Sequence, residues 1–325
     1  MNSEVATDPN SLVTLTDIRA AALAIHGHVH RTVQGTSTFL NSVSNTRVSL
    51  KLELFQKTGS FKVRGVINAL RQLTPEECAA GVISLSAGNH AQALAWGAAK
   101  LGIKATIVMP ATAVASKVAA TRAYGGHVVQ TDADLMMIAR ELQLQHGLTM
   151  VHPFDDKRVI AGQGTVGLEI FEDVPEVDVV LVACGGGGLV SGVATAIKSL
   201  KPGVRVIAIE PEGASAMALS VGAGSPQRLP QMSTVADGLA APFAGTHTLA
   251  HVQRYVDEVI VIPDSEILAG MRVLMERCKL FVEPAAGAAI APLLNGRVQI
   301  DSGATVVPIV CGGNIDLERL KTMIA

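Results

Sequence analysis

Short runs of β-branched residues, apolar at every position and separated by Ala- and Leu-rich stretches of helical period, constrain this chain more than any other feature. The clearest are Val82–Leu85, Ala105–Met109, Val179–Ala183, Val204–Ile209, Val259–Ile262 and Val306–Val310, with a weaker one at Val128–Val129. A strand with one wet face alternates apolar and polar residues, so runs without alternation are covered on both faces, as in a parallel sheet with crossover helices. Asn89–Leu101, Leu189–Leu200 and Ser265–Leu280 read as such helices. The expected class is α/β. No repeat or low-complexity tract divides the chain, so two domains are expected to interleave rather than follow one another.

Composition removes several functions. Hydrophobic residues make up 49% and charged residues 17%, against about 25% charged in ordinary soluble proteins, which excludes disorder. A net charge of −2, with no basic run longer than two residues, gives nucleic acid no electrostatic footprint. Cys78, Cys184, Cys278 and Cys311 form neither a CxxC pair nor a zinc spacing, as expected of free thiols in the cytoplasm. The polar first eleven residues lack the apolar stretch of a signal peptide, and no apolar run reads as a membrane span. The 31 glycines, against 10 aromatics, suggest a backbone that comes close to a ligand.

Three strand–turn–helix junctions carry unusual residues. In the first, Gly185, Gly186, Gly187 and Gly188 stand between a buried strand and a helix beginning near Leu189. Backbone N–H groups freed by glycine, together with a helix N-terminus, favour an anion, and a phosphate is the expected guest. A dinucleotide site competes, since Glu210 ends the next strand where a ribose-binding acid belongs, although the third glycine of G-x-G-x-x-G is lacking. The second junction, Ser86-Ala87-Gly88-Asn89-His90, offers a hydroxyl, an amide and backbone donors for a carboxylate, or else simple capping of the helix. The third, Lys57 to Gly65, reads either as a solvated basic face or as a setting that desolvates Lys62 between Phe61 and Val63. Desolvation lowers a lysine pKa and makes the amine a nucleophile able to form a Schiff base.

A phosphate cradle, a buried lysine and a carboxylate cradle are the parts needed to hold pyridoxal 5'-phosphate and an amino acid. The sequence resembles the fold-type II pyridoxal-phosphate family of serine/threonine dehydratases and serine racemases, from about Leu15 to Leu317. The resemblance is carried by Lys57-Thr-Gly-Ser-Phe-Lys-Val-Arg-Gly65, Ser86 to Gln92, His152-Pro-Phe-Asp-Asp156, Ala161-Gly-Gln-Gly-Thr165, Gly185 to Leu189, Ala236-Asp-Gly238, Glu283-Pro284 and Cys311-Gly-Gly-Asn314. It implies two interleaved, open, twisted and mostly parallel sheet domains, with 1–78 and 157–325 forming the larger and 79–156 the smaller.

The resemblance also implies roles. Lys62 carries the cofactor and takes the Cα proton, with Phe61 beside the ring. Gly185, Gly186, Gly187, Gly188 and Leu189 hold the phosphate. Asn89 bonds the ring hydroxyl, Cys311 faces the pyridine nitrogen, and Gly238 and Glu283 complete the surroundings. Ser86, Ala87, Asn89 and His90 receive the substrate carboxylate. A neutral thiol at Cys311 donates weakly to the pyridine nitrogen, which favours prompt elimination. The implied reaction is β-elimination of water from a 3-hydroxy amino acid, L-threonine or L-serine, giving a 2-oxo acid and ammonia. Dehydratases of 3-hydroxyaspartate or of a hydroxylated diaminobutyrate derivative in hydroxyectoine degradation are the alternatives within the family. A nicotinamide oxidoreductase and a non-catalytic sensor on the same scaffold are the alternatives outside it.

Departures sharpen the expectation. Racemases of this group carry a serine where this chain has Ala87, and alanine transfers no proton. The divalent-cation site of the family would use Glu210, the Ala214 carbonyl and an acid at the position of Ala216, which cannot ligate, so no metal is expected. Thr32-Val33 replaces the usual Thr-Pro after the first helix. Feedback control through a C-terminal regulatory domain is not expected, and a homodimer or tetramer is. His26, His28 and His30 alternate like a metal arm, but a helix end followed by an extended segment accounts for them. The stretch Ala285–Ala291 reads as one closely packed helix.

Overall fold

A computed structural model describes residues 12–324, so the polar N-terminal segment lies outside the described residues. Ten strands occur among the described residues. They are β1 (Gln34–Thr36), β2 (Arg47–Leu52), β3 (Val82–Leu85), β4 (Ala105–Pro110), β5 (His127–Thr131), β6 (Thr149–Met150), β7 (Val179–Ala183), β8 (Arg205–Pro211), β9 (Glu258–Ile262) and β10 (Thr305–Val310). They form a six-stranded sheet of order β1-β2-β10-β7-β8-β9 and a four-stranded sheet of order β5-β4-β3-β6. Only β1 pairs antiparallel, with β2; the other pairs are parallel. The chain is therefore α/β, and its seven sequence-predicted strands are present with ends moved by no more than two residues. The sequence pattern missed β1, β2 and β6. Two of these are only two or three residues long, and β2 carries Arg47, Ser49 and Lys51 among its apolar residues.

Every face of β7 and β10 is buried, and their Val, Leu and Ile side chains join those of β8 in the main core. A second core surrounds the smaller sheet and takes in Val63, Val66, Ile67 and Leu70 from the helix Lys62–Leu70. Between the cores runs the long helix Lys157–Asp173. A Cβ on Gly162 would lie 2.5 Å from Gly65 Cα, and one on Gly192 would lie 2.4 Å from Gly164 N. Gly162 and Gly164 of the Ala161–Thr165 motif thus let three helix backbones touch, with Gly65 and Gly192 opposite them, so packing accounts for them.

Two helix boundaries differ from the sequence expectation. The helix Asp264–Glu276 stops four residues short of Leu280, because Lys279 adopts φ 62° and Leu280 N donates to Leu274 O at 3.0 Å. This left-handed cap lacks the glycine that usually signals it. The stretch Ala285–Ala291 is split into Pro284–Ala288 and Ala291–Asn295. Pro292 has no N–H and its ring excludes the carbonyl four residues back, so a continuous helix cannot pass.

Candidate active site

The functional segments leave the carboxyl ends of parallel strands, where open α/β sheets place their ligands. β2 leads through a 3-10 turn to Lys62, β3 to Ser86–Asn89, β7 to Gly185 and β10 to Cys311. The Lys62 segment is stitched to the end of β10: Phe61 N donates to Cys311 O at 3.2 Å, Gly313 N donates to Gly59 O at 2.9 Å, and Ser60 bridges Gly312. Lys62 opens its helix with its amine turned inward, donating to Pro153 O at 2.9 Å and lying 5.2 Å from the Phe61 ring centroid. Burial lowers the amine from its ordinary value to about 8, offset in part by the nearby Glu283 carboxyl. Cys311 is buried, and burial drives its thiol well above the usual range, so it is neutral at neutral pH.

The amine must lose its proton to react, so its reactivity rises as pH passes through about 8. In cofactor-free protein, acylation of Lys62 by a small anhydride, read by peptide mass spectrometry, is expected to level off above that point. An ordinary lysine, with a pKa of about 10.4, keeps gaining reactivity for roughly two further pH units.

Asn89 begins the helix Asn89–Lys100 but does not cap it. The cap position is Gly88, and no side chain bonds there. Its amide nitrogen instead donates to Glu283 Oε1 at 2.8 Å and Oε2 at 3.1 Å, while its oxygen accepts from Asn314 Nδ2 at 2.8 Å. Glu283 stands at the start of the helix Pro284–Ala288, with its side chain likewise making no capping bond. Burial, reinforced by Asp237, raises its carboxyl to about 7. Gly238 and Gly312 both face this acid: a Cβ on Gly312 would lie 2.4 Å from Glu283 Oε1, and one on Gly238 3.6 Å.

The glycine loop has two reasons for its composition. Gly187 takes φ +90°, which only glycine adopts freely. Gly186 is required by contact, because a Cβ there would lie 2.3 Å from the Phe154 ring. The N–H groups of Gly185, Gly186 and Gly187 have no acceptor among the described residues, and the helix Gly188–Leu200 adds its own free first-turn N–H groups at Gly188 and Leu189. Phe154 also packs edge-on to His152 at 4.6 Å and beside Phe243 at 5.4 Å. Asp155 anchors this segment by accepting from the N–H groups of Thr246, His247 and Thr248 at 2.9 to 3.1 Å.

At the remaining junction, Ser86 Oγ accepts from Gly88 N at 3.2 Å, and Ala87 is half-buried. A Cβ on Gly88 would meet nothing within 4 Å, so open space adjoins Asn89. His90 is buried against Val151 O at 3.1 Å, and burial lowers it to about 3. It is a neutral core residue, and the half-buried His152 is likewise neutral, lowered by desolvation to about 4.

The structure corrects other expectations. The two oxygens of Glu210 accept from Met217 N at 2.9 Å and Ala218 N at 2.7 Å, so this acid holds the start of the helix Ala216–Ala223. Ala214 and Ala216 are buried beside it. Arg64 does not belong to a solvated face but is wholly buried between Glu53 and Glu169. Pro153, Phe243, Asp155 and Asn314 are site elements that sequence reasoning did not single out. Pro153, Asp155 and Asn314 left a signal as members of motifs that carry the resemblance, whereas Phe243 left none. Among the described residues, no helix is long and apolar enough to cross a membrane.

These residues fit pyridoxal phosphate. The donor set offers a desolvated amine, unpaired N–H groups at a helix N-terminus and a neutral thiol. Ser60 Oγ, two residues before Lys62, is buried without a partner, as cavity-lining polar atoms awaiting a ligand are. The family model described as "Pyridoxal-phosphate dependent enzyme" matches residues 28–312. An L-threonine ammonia-lyase of Thermotoga maritima is 42% identical over 316 residues, covering 96% of this chain and 78% of that protein. A serine racemase of rice (Oryza sativa subsp. indica) is 40% identical over 307 residues, 92% of this chain and 90% of that one. The structure of maize serine racemase superposes with a TM-score of 0.92 at 39% identity, covering 97% of each chain. With the family model spanning most of its length and relatives this similar on both counts, the chain belongs to the pyridoxal-phosphate-dependent enzyme family, in its fold-type II branch of lyases and racemases.

Proposed function

We propose that this enzyme eliminates water from L-threonine and L-serine, releasing a 2-oxo acid and ammonia. The observation that carries the reading is a buried amine at Lys62, deprotonated near pH 8, beside a glycine loop whose N–H groups are free. The L-threonine ammonia-lyase among its relatives supports the same chemistry. Pyridoxal phosphate, when bound, supplies the electron sink that acidifies the Cα–H bond.

In this proposal Gly185 to Leu189 hold the phosphate through backbone donors, Phe61 flanks the ring, and Asn89, Cys311, Gly238 and Glu283 surround it. Lys62 would carry the cofactor, and its free amine would take the Cα proton as general base. The Cα–H electron pair forms the Cα–Cβ double bond as the Cβ–O bond breaks, and the proton removed balances the hydroxide that leaves as water. The released enamine takes up water to give the 2-oxo acid and ammonia. Ser86, Ala87 and Asn89 line the carboxylate side, where the free space at Gly88 adjoins backbone donors, and His90 contributes only its first-turn N–H because its ring is buried against Val151 O. The proposal further takes residues 79–156 as a small domain inserted between 1–78 and 157–325, and the working form as a cytoplasmic homo-oligomer.

The test is a visible spectrum of the purified protein, borohydride reduction with peptide mapping, and ammonia release across a panel of 3-hydroxy amino acids. A chromophore fixed at Lys62 with turnover of threonine or serine is expected. Turnover confined to 3-hydroxyaspartate or a hydroxylated diaminobutyrate derivative would reassign the substrate, and a coloured but inert protein would mean a sensor. Ala87 separates elimination from racemisation, because a methyl group carries no proton to the face opposite Lys62. In Ala87→Ser, D-serine formation is expected to rise about a hundredfold, the low end of what a positioned acid–base group contributes. An unchanged D-serine rate, by chiral chromatography, removes Ala87 from that role.

A further inference from the structure

Asn314 ends the Cys311–Asn314 segment, and its side chain closes a chain of polar groups whose direction is set at one end. Asn314 Nδ2 donates to Thr58 O at 2.8 Å and to Asn89 Oδ1 at 2.8 Å. A backbone carbonyl only accepts, so the Asn314 atom facing Thr58 must be the nitrogen. Its other hydrogen then obliges Asn89 to present oxygen to it. Asn89 must therefore turn its nitrogen to Glu283, as the 2.8 and 3.1 Å contacts show. The fold makes room for this arrangement: Gly59 takes φ +72°, and a Cβ there would lie 2.4 Å from Asn314 Oδ1.

Removing Asn314 would release the constraint. A buried carboxyl raised to about 7 presents either an O–H or a bare oxygen near neutrality, so Glu283 by itself accepts either end of the Asn89 amide. We infer that Asn314 is a positioning residue: it sets the polarity of the Asn89 amide, so that one N–H bonds Glu283 and the second remains available to the bound cofactor. This rests on the proposed contact between Asn89 and pyridoxal phosphate.

The experiment compares wild type, Asn314→Asp, Asn314→Ala, Asn89→Ala and the Asn89→Ala/Asn314→Ala double variant. Each is stripped of cofactor and titrated with pyridoxal phosphate, and the visible band of the reloaded protein is recorded. Asn314→Asp keeps the size but cannot donate to Thr58 O and Asn89 together. It is expected to weaken cofactor binding about tenfold, as for one misdirected buried hydrogen bond, and to shift the band. The double variant is expected to bind no more weakly than Asn89→Ala alone, since Asn314 acts through Asn89. Additive losses with an unchanged band would show that Asn314 only braces the turn at Gly59, and would overturn the inference. Should Asn314→Asp fail to fold, the cycle built on the alanine variants decides alone. Wild type that takes up no cofactor reducible onto Lys62 would sink the functional reading and this inference with it. Normal loading of wild type with unaltered Asn314 variants would sink the inference alone.

Discussion

Lys62→Ala yields a folded protein whose ammonia release falls by about 10³-fold or more, because one substitution removes both the covalent anchor and the general base. The fold is expected to survive. The amine makes one hydrogen bond, to Pro153 O, and its burial opposes its charge. Losing the alkyl stem costs packing while losing the amine relieves desolvation, so the unfolding midpoint is expected to move by less than about 3 °C. Small primary amines added to the variant are expected to restore part of the lost rate, since they replace a missing base but not a missing fold. A variant that retains turnover within tenfold of wild type would remove Lys62 from the chemistry. A collapsed midpoint would show instead that the amine is structural.

Arg64→Met is expected to destabilise the protein by about 3 to 5 kcal/mol, the range found when one member of a buried ion pair is removed. The guanidinium donates to Glu53 Oε1 and Oε2 at 2.7 and 2.8 Å and to Glu169 Oε1 and Oε2 at 2.7 and 2.8 Å. Lys51 donates to the same Glu169 at 2.6 Å, and Thr32 to Glu53 at 2.5 Å. The side chains of Arg64, Lys51 and Glu53 have no solvent exposure, so a stranded Glu53 carboxylate would be neither hydrated nor matched. Urea unfolding reads the loss, and adding Glu53→Gln to Arg64→Met is expected to recover part of it by deleting the stranded charge. The network lies two residues from Lys62 on one helix, so its loss is also expected to loosen the lysine's seat. A loss under about 1 kcal/mol would mean that water reaches Glu53.

How legible each feature was follows from how local it is. The uninterrupted apolar runs announced β7 and β10 because each run carries its own burial on both faces. Lys62 and the glycine loop announced themselves because the relevant residues are adjacent in the chain. Asn89 was legible as a polar residue at a helix start, where capping and ligand binding leave the same sequence trace. Its partners Glu283 and Asn314, 194 and 225 residues away, are what exclude capping. Glu210 shows the reverse case: an acid after a strand suggested a ribose, and only its contacts reveal that it holds the start of a following helix.

The amino-acid sequence by itself thus determined the α/β class, the principal strands, the glycine loop opening a helix at Gly185 to Leu189 and the candidacy of Lys62. Each of these depends on residues within one strand or turn. Only the tertiary structure decided that Lys62 is desolvated, that Arg64 is a buried counter-charge rather than a surface cation, that His90 and His152 are neutral, and that Asn89 has a fixed polarity. Charge state and hydrogen-bond direction depend on which groups share a water-poor space, and distant segments of the chain assemble that space only on folding.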